Sequence, residues 1–263
     1  MEFKTINIED VQTSKFQDEV KKTFSKIPES NSYKLPRPSF RYSTSTTIKV
    51  PGAPTYPIRA LLNGQIYQVE EDLYCNLSLS GPGGLRAGLT VTSNTVYYFY
   101  LVLHQDKVMV MADTVAPTQG PLNVQHWTYL GAVCTPSGGS SLTPFVSSDG
   151  FCVFDNQVNV VSHTGGLTPQ VKTLSNLPLT SKQAWGFIII GGPTTNTAGR
   201  VMGTNTSNNN ALYQLNINAT TNNTNYGFVP IFTGQTIYLQ LEASGNTVFF
   251  YYMGFRESPM EYQ

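Results

Sequence analysis

Residues 96–103 spell VYYFYLVL, an unbroken run of apolar and aromatic side chains, and this run constrains the chain more than any other stretch. It is strand-length and built from the β-branched and aromatic types that favour a pleated surface. A polar HQDK turn at 104–107 separates it from a second apolar run at 108–112. That order predicts a β-hairpin, and eight residues before a turn leave too little length for a helix. Alternation puts Tyr97, Phe99, Leu101 and Leu103 on one face and Val96, Tyr98, Tyr100 and Val102 on the other. Neither face is polar, so both need a covering layer. The hydroxyls of Tyr98 and Tyr100 can reach an edge or a neighbouring chain, which makes these two residues candidate assembly contacts. A Pro/Gly-marked loop then leads to a third run at 127–134.

The pieces VYYFYLVL, VMVMADTVAPT and WTYLGAVCTPSG, followed by LTPF, together resemble a module of structural proteins in tailed bacteriophages. The resemblance covers about residues 60–155 and rests on a Tyr-rich strand, a short hairpin, a Pro-containing loop and a Tyr-x-Gly-Ala-Val strand. The chain departs from the pattern at residues 121–126, where the basic pair of the module is missing. The resemblance implies a non-enzymatic component of a tailed-phage virion, assembled in the host cytoplasm. A tail role as fibre, tip or adaptor is the first expectation, and capsid decoration or head fibre is the alternative. The implied partners are other copies, as a homotrimer, and other virion proteins of the tail, baseplate or capsid.

The polarity of the chain comes from Asn, Thr, Ser and Gly, since only 12% of its 263 residues are charged and the formal net charge is zero. That balance fits an all-β protein with many turns. It speaks against nucleic acid as a partner, because phosphate contacts call for a basic surface. Cys75, Cys134 and Cys152 are odd in number and widely spaced, which predicts buried reduced thiols rather than a disulfide framework. The first residues, MEFKTINIED, lack the apolar core of a signal peptide. No apolar run approaches the roughly 18 residues of a membrane-spanning helix, so no membrane insertion is expected.

Residues 1–59 differ from the rest. Ten of the sixteen Lys and Arg residues and nine of the sixteen acids precede Leu73. Val11, Phe16, Val20, Phe24 and Ile27 recur at spacings of 5, 4, 4 and 3, which predicts a short amphipathic helix ended by Pro28. A helix of that length is marginal alone, so its stripe needs a partner, either the chain's own sheet or an oligomer axis and docking protein. These five residues are candidate assembly contacts. Prolines at 28, 36, 38, 51, 54 and 57 then predict a stiff, extended arm.

Two β domains are expected after this arm, at 60–163 and 164–263, each a sandwich or jelly-roll. The Leu61–Leu62–Asn63–Gly64–Gln65 stretch is a hairpin turn signal. In the second domain, long Asn/Thr-rich loops separate apolar strands such as 185–190. Amide and hydroxyl side chains can hydrogen-bond sugars, and Trp185, Tyr213 and Tyr226 are candidate stacking residues for a host-surface glycan. The same loop composition also serves plain turn formation. His104, His126 and His163 stand singly, without metal-ligand spacing, and no nucleophile elbow or paired carboxylates occur. No catalytic residue, metal ligand or cofactor is therefore expected.

Overall fold

The computed structural model describes residues 35, 37–166, 168–192, 197–203, 214–219, 224–231, 234–242 and 245–257, the strand at 214–219 by its backbone alone. The described residues from 37 to 257 belong to one compact unit. The stripe from Val11 to Ile27 and the loop residue Tyr213 lie outside the described residues.

The strands run in chain order as follows. The first five are β1 (Phe40–Thr44), β2 (Thr47–Val50), β3 (Ile58–Leu62), β4 (Gln65–Val69) and β5 (Leu73–Ser80). Next come β6 (Gly84–Leu85), β7 (Val96–His104), β8 (Lys107–Asp113), β9 (Trp127–Cys134) and β10 (Phe145–Ser148). They are followed by β11 (Phe151–Phe154), β12 (Asn159–Thr164), β13 (Gln170–Thr173), β14 (Ser181–Gly191) and β15 (Thr197–Met202). The last four are β16 (Gln214–Ala219), β17 (Asn225–Pro230), β18 (Thr236–Leu241) and β19 (Thr247–Glu257).

Thirteen of these strands belong to one sheet, in the order β17-β14-β19-β11-β10-β1-β2-β5-β6-β8-β7-β9, with β12 also paired to β19. A second sheet runs β13-β18-β15-β16, and β3-β4 is a separate hairpin. The expectation of two sandwich or jelly-roll domains behind an extended arm is therefore corrected. The fold is all-β, but no sheet closes, and no helix occurs among the described residues. The long sheet crosses the expected boundary at 163/164, because β19 from the C-terminal part pairs with β11 and β12 from the preceding part. The stretch read as a proline-stiffened arm supplies β1 and β2, which sit within the sheet between β10 and β5. Its prolines flank these strands, and alternation buries Phe40, Ile48 and Val50.

The hairpin at 96–112 forms as expected, with β7 and β8 paired from Tyr98↔Asp113 to His104↔Lys107. Its two-residue turn places Gln105 and Asp106 at φ 48° and 61°, the left-handed pair that matches the twist of a tight hairpin. The Asn63–Gly64 turn between β3 and β4 has the same form, at 52° and 70°. Both faces of β7 are covered. Phe99 meets Phe40 of β1 at 5.8 Å between ring centroids, and Tyr100 lies 5.7 Å from Tyr129 and 5.4 Å from Trp127. Gly131, opposite Phe99, makes room for Phe40, since a Cβ there would meet that ring at 2.6 Å. The sheet thus curls far enough for β1 to pack against β7 and β9 without hydrogen-bonded closure.

Asp113 ends β8 fully buried and organises the loop that follows. It accepts from Arg86 Nε at 3.0 Å and from the backbone N–H groups of Thr114, Val115 and Leu122. The smaller sheet lies against the inner face of β14 and β19, where a Cβ on Gly199 of β15 would meet Ile190 at 2.8 Å and Val248 at 3.3 Å.

Candidate functional site

The residues with the strongest chemical identity lie on the two faces of β19. Its inward side chains include Val248, Phe250, Tyr252, Phe255 and Glu257, all buried. Glu257 sits at the end of the strand with a carboxylate that three groups reach. Tyr129 Oη and Thr180 Oγ1 donate to Oε1, and Arg37 Nη1 donates to Oε2 at 3.2 Å. The Arg37 guanidinium also lies 5.1 Å from the centroid of the Tyr129 ring. Burial pushes the Glu257 carboxyl above its ordinary value, against the opposing pull of its donors and of Arg37. Burial likewise raises the thiols of Cys134 and Cys152 and the phenols of Tyr129 and Tyr252. All three cysteines are free and buried. The Tyr252 hydroxyl is buried without a hydrogen-bond partner among the described residues. The Glu257 carboxylate, Tyr129 and Thr180 are buried, and their hydrogen bonds tie β19 to β9 and to the segments that hold Arg37 and Thr180.

The outward face of the same strand is different. Strand pairing sets Trp185 of β14 opposite Phe228 of β17, Phe187 opposite both Tyr226 and Tyr251, and Ile189 opposite Phe249. Opposed residues share a face, so register alone assembles a platform of rings. Phe187 stacks on Tyr251 at 4.7 Å and 9°, and lies 5.3 Å from Tyr226. Phe151 of β11 leans across to Phe228 at 5.3 Å and to Trp185 at 6.5 Å. Phe249 continues the row, 6.2 Å from Tyr251. Tyr226 and Phe228 remain 58% and 38% exposed, and the other rings are half-buried against one another.

One cation crowns the platform. Arg256, opposite Phe151, places its guanidinium 5.8 Å from the Phe151 centroid and 5.5 Å from that of Phe228. The face then runs on through register partners: Trp185, Gly254, Val153, Val146, Arg41, Lys49 and Tyr74 follow one another across the sheet. Val146 and Tyr74 are exposed, at 57% and 49%. Lys49 is engaged by Asp72 at 2.5 Å, and that bond raises the lysine and lowers the carboxyl. Arg41 and Arg256 have no ion pair among the described residues. The strands β17, β14, β19, β11, β10 and β1 contain a single carboxylate side chain, Glu257, and it points to the other face.

The structure therefore brings Trp185 and Tyr226, two of the sequence-derived stacking candidates, onto one surface. Phe151, Phe187, Phe228, Phe249, Tyr251 and Arg256 belong to the same surface and were not singled out by sequence. Their signal was the alternation within 183–189, 226–228 and 249–251, which identifies a face only once the register is known. Tyr98 and Tyr100 are in the core of the chain. Tyr98 Oη accepts from the Leu179 N–H at 3.0 Å, and Tyr100 Oη donates to the Val115 carbonyl at 2.6 Å. His104 ends β7 opposite Lys107, His126 lies in the bend before β9, and His163 is held below its ordinary value mainly by burial, with Lys172 adding to the effect. No group of three His, Cys, Asp or Glu suited to a metal occurs among the described residues. A groove of about 760 Å³ beside β5 and β8 is lined by Glu70, Glu71, Asp72, Asp106 and Lys107, with Asp72 already committed to Lys49.

No known family model matches the chain, and no curated protein does. Among solved structures, it is similar to a Bacillus thuringiensis Cry1Da tryptic core variant at 11% identity and a TM-score of 0.16. The match covers 84% of this chain, which spans about half (51%) of that one. A likeness this distant carries no functional argument.

Proposed function

We propose that this chain is a non-enzymatic structural component of a tailed-phage particle, part of its tail, whose open sheet serves as a rigid carrier for a binding surface. The observation that carries the reading is the aromatic outer face of β17, β14, β19 and β11. Seven rings gathered on one partly exposed face are more than scattered surface apolar residues, and contiguous patches of this kind mark interaction sites. Aromatic residues and Arg are also the types enriched where proteins bind. The phage assignment draws on the resemblance of residues 60–155, and the apolar stripe from Val11 to Ile27 supplies the anchor in this reading.

Labelling purified particles with an antibody to this chain tests the proposal. Signal on the tail is expected, along with loss of incorporation when residues 1–30 are deleted. Signal on the head would transfer the role to capsid decoration. Particles without the chain would overturn the reading.

A further inference from the structure

We propose that the outer face of the long sheet binds an acidic polysaccharide, with sugar rings lying on Trp185, Tyr226, Phe228 and Tyr251 and carboxylates meeting Arg256 and Arg41. The inference rests on the reading of this face as a binding surface and names its ligand.

Charge complementarity selects an anion. Two guanidiniums share the face with no carboxylate of the same six strands beside them. A second copy docked through the same face would bring the same cations and, as counter-charge, only Asp72, already committed to Lys49, leaving Arg256 desolvated and unpaired, which is costly. An acidic partner removes that cost and gains charge-assisted hydrogen bonds from a planar, forked donor.

The spacing of the cations selects among anions. Arg256 and Arg41 stand on strands three positions apart in the sheet, about 14 Å at ordinary strand separation. Nucleic acid carries a phosphate about every 3.4 Å along each strand, and two guanidiniums so far apart would leave most of those charges without a partner. A polymer with one carboxylate per few sugars matches the interval better.

The groups between the cations select a saccharide over an acidic peptide. The rings project from the face of the sheet; β17 ends the sheet, but a strand added at its free edge would engage its backbone and leave the rings of β14, β19 and β11 uncovered. It offers flat rings for the C–H faces of sugars, with the Tyr226 and Tyr251 hydroxyls, the Gln183 amide and the Ser162 hydroxyl around them for sugar hydroxyls.

The test uses the full chain, following its tryptophan fluorescence, because Trp185 lies in the platform. Hyaluronan and heparosan, with one carboxylate per two sugars, and gellan, with one per four, are the acidic probes, with dextran as a neutral probe and oligo-dT as a nucleic acid. At least one acidic glycan is expected to bind, with dextran at least tenfold weaker. R256Q and Y226A should each weaken that binding at least tenfold, and R256K should retain part of it. Thermal midpoints near that of the parent chain establish that each variant is folded. Absence of binding to all three acidic glycans, equal binding of dextran, insensitivity to R256Q, or tighter binding of oligo-dT each overturns the inference. Concentration-dependent self-association abolished by Y226A, without glycan binding, would overturn it in favour of a second copy. Particle incorporation of the parent chain, set beside its glycan binding, separates the two readings. Incorporation without glycan binding defeats this inference alone, whereas absence of the parent chain from particles defeats the virion reading alone.

Discussion

The two faces of β19 carry nearly the same chemistry and put it to opposite uses. Each presents aromatic rings and one charged residue near the strand end: Phe250, Tyr252, Phe255 and Glu257 inward, Phe249, Tyr251 and Arg256 outward. The inward charge is enclosed and met by three donors from residues 37, 129 and 180. The outward charge rests on two rings and faces no carboxylate of its own sheet. A buried charge must be satisfied by the chain that buries it, whereas a charge at the surface can remain available to something else. The comparison separates a charge that holds the fold from one that is free to recognise.

Breaking the inner site should have the largest effect. Glu257→Ala strands Arg37 and the Tyr129 and Thr180 hydroxyls, and should cost roughly 3–5 kcal/mol in urea unfolding, the range for removing one member of a buried pair. A loss under about 1 kcal/mol would show that solvent reaches the cluster.

The next effect is on pH dependence. The folded Glu257 holds its proton to higher pH than the unfolded chain, whose carboxyl titrates near the ordinary 4.5. Its contribution is complete below that pH, and it declines as the pH rises through the interval up to the raised folded value, where the unfolded state binds fewer protons. Stability profiles of parent and Glu257→Gln should therefore differ in slope above pH 4.5, with the falling component absent from the variant. Identical slopes would contradict the burial argument.

Tyr252→Phe removes a buried hydroxyl that has no partner among the described residues, and should leave stability unchanged or raise it by about 1 kcal/mol. A clear loss would reveal a partner for that hydroxyl. Arg256→Gln should change stability least, by about 0.5 kcal/mol, the scale of an exposed cation–π contact. A loss comparable to that of Glu257→Ala would dissolve the contrast between the two faces.

How much of this was legible in the sequence depended on the range of the interactions. The hairpin at 96–112 and the Asn63–Gly64 turn were legible because apolar runs and turn chemistry act within a few residues. Residues 185–190 show no polar face in sequence, and the strand that holds them, β14, is flanked on both edges by β17 and β19. The division into two sandwiches failed because composition and spacing say nothing about which strands pair at a distance. β1 and β2 looked like an arm between prolines, yet they hydrogen-bond to β10 and β5. Glu257 looked like an ordinary polar residue at a strand end. Its burial depends on Arg37, 220 positions away, and on Tyr129, 128 positions away, and no local periodicity records such partners. The platform is half visible: Trp185 and Tyr226 stand out in sequence as stacking residues, but composition points to the loops as the surface, whereas register places these rings on strands.

The position of β19 in the sheet has a consequence for how the molecule is made. β14 lies along one edge of it, and β12 and then β11 share the other edge, so it is the sole hydrogen-bonded link between the β17-β14 pair and the rest of the long sheet among the described residues. On a ribosome adding about 5–20 residues per second, every earlier strand emerges before this link can form. Until residues 247–257 arrive, the edges of β14 and β11 stay open to wrong partners, which exposes the growing chain to mispairing with its neighbours in the same cell.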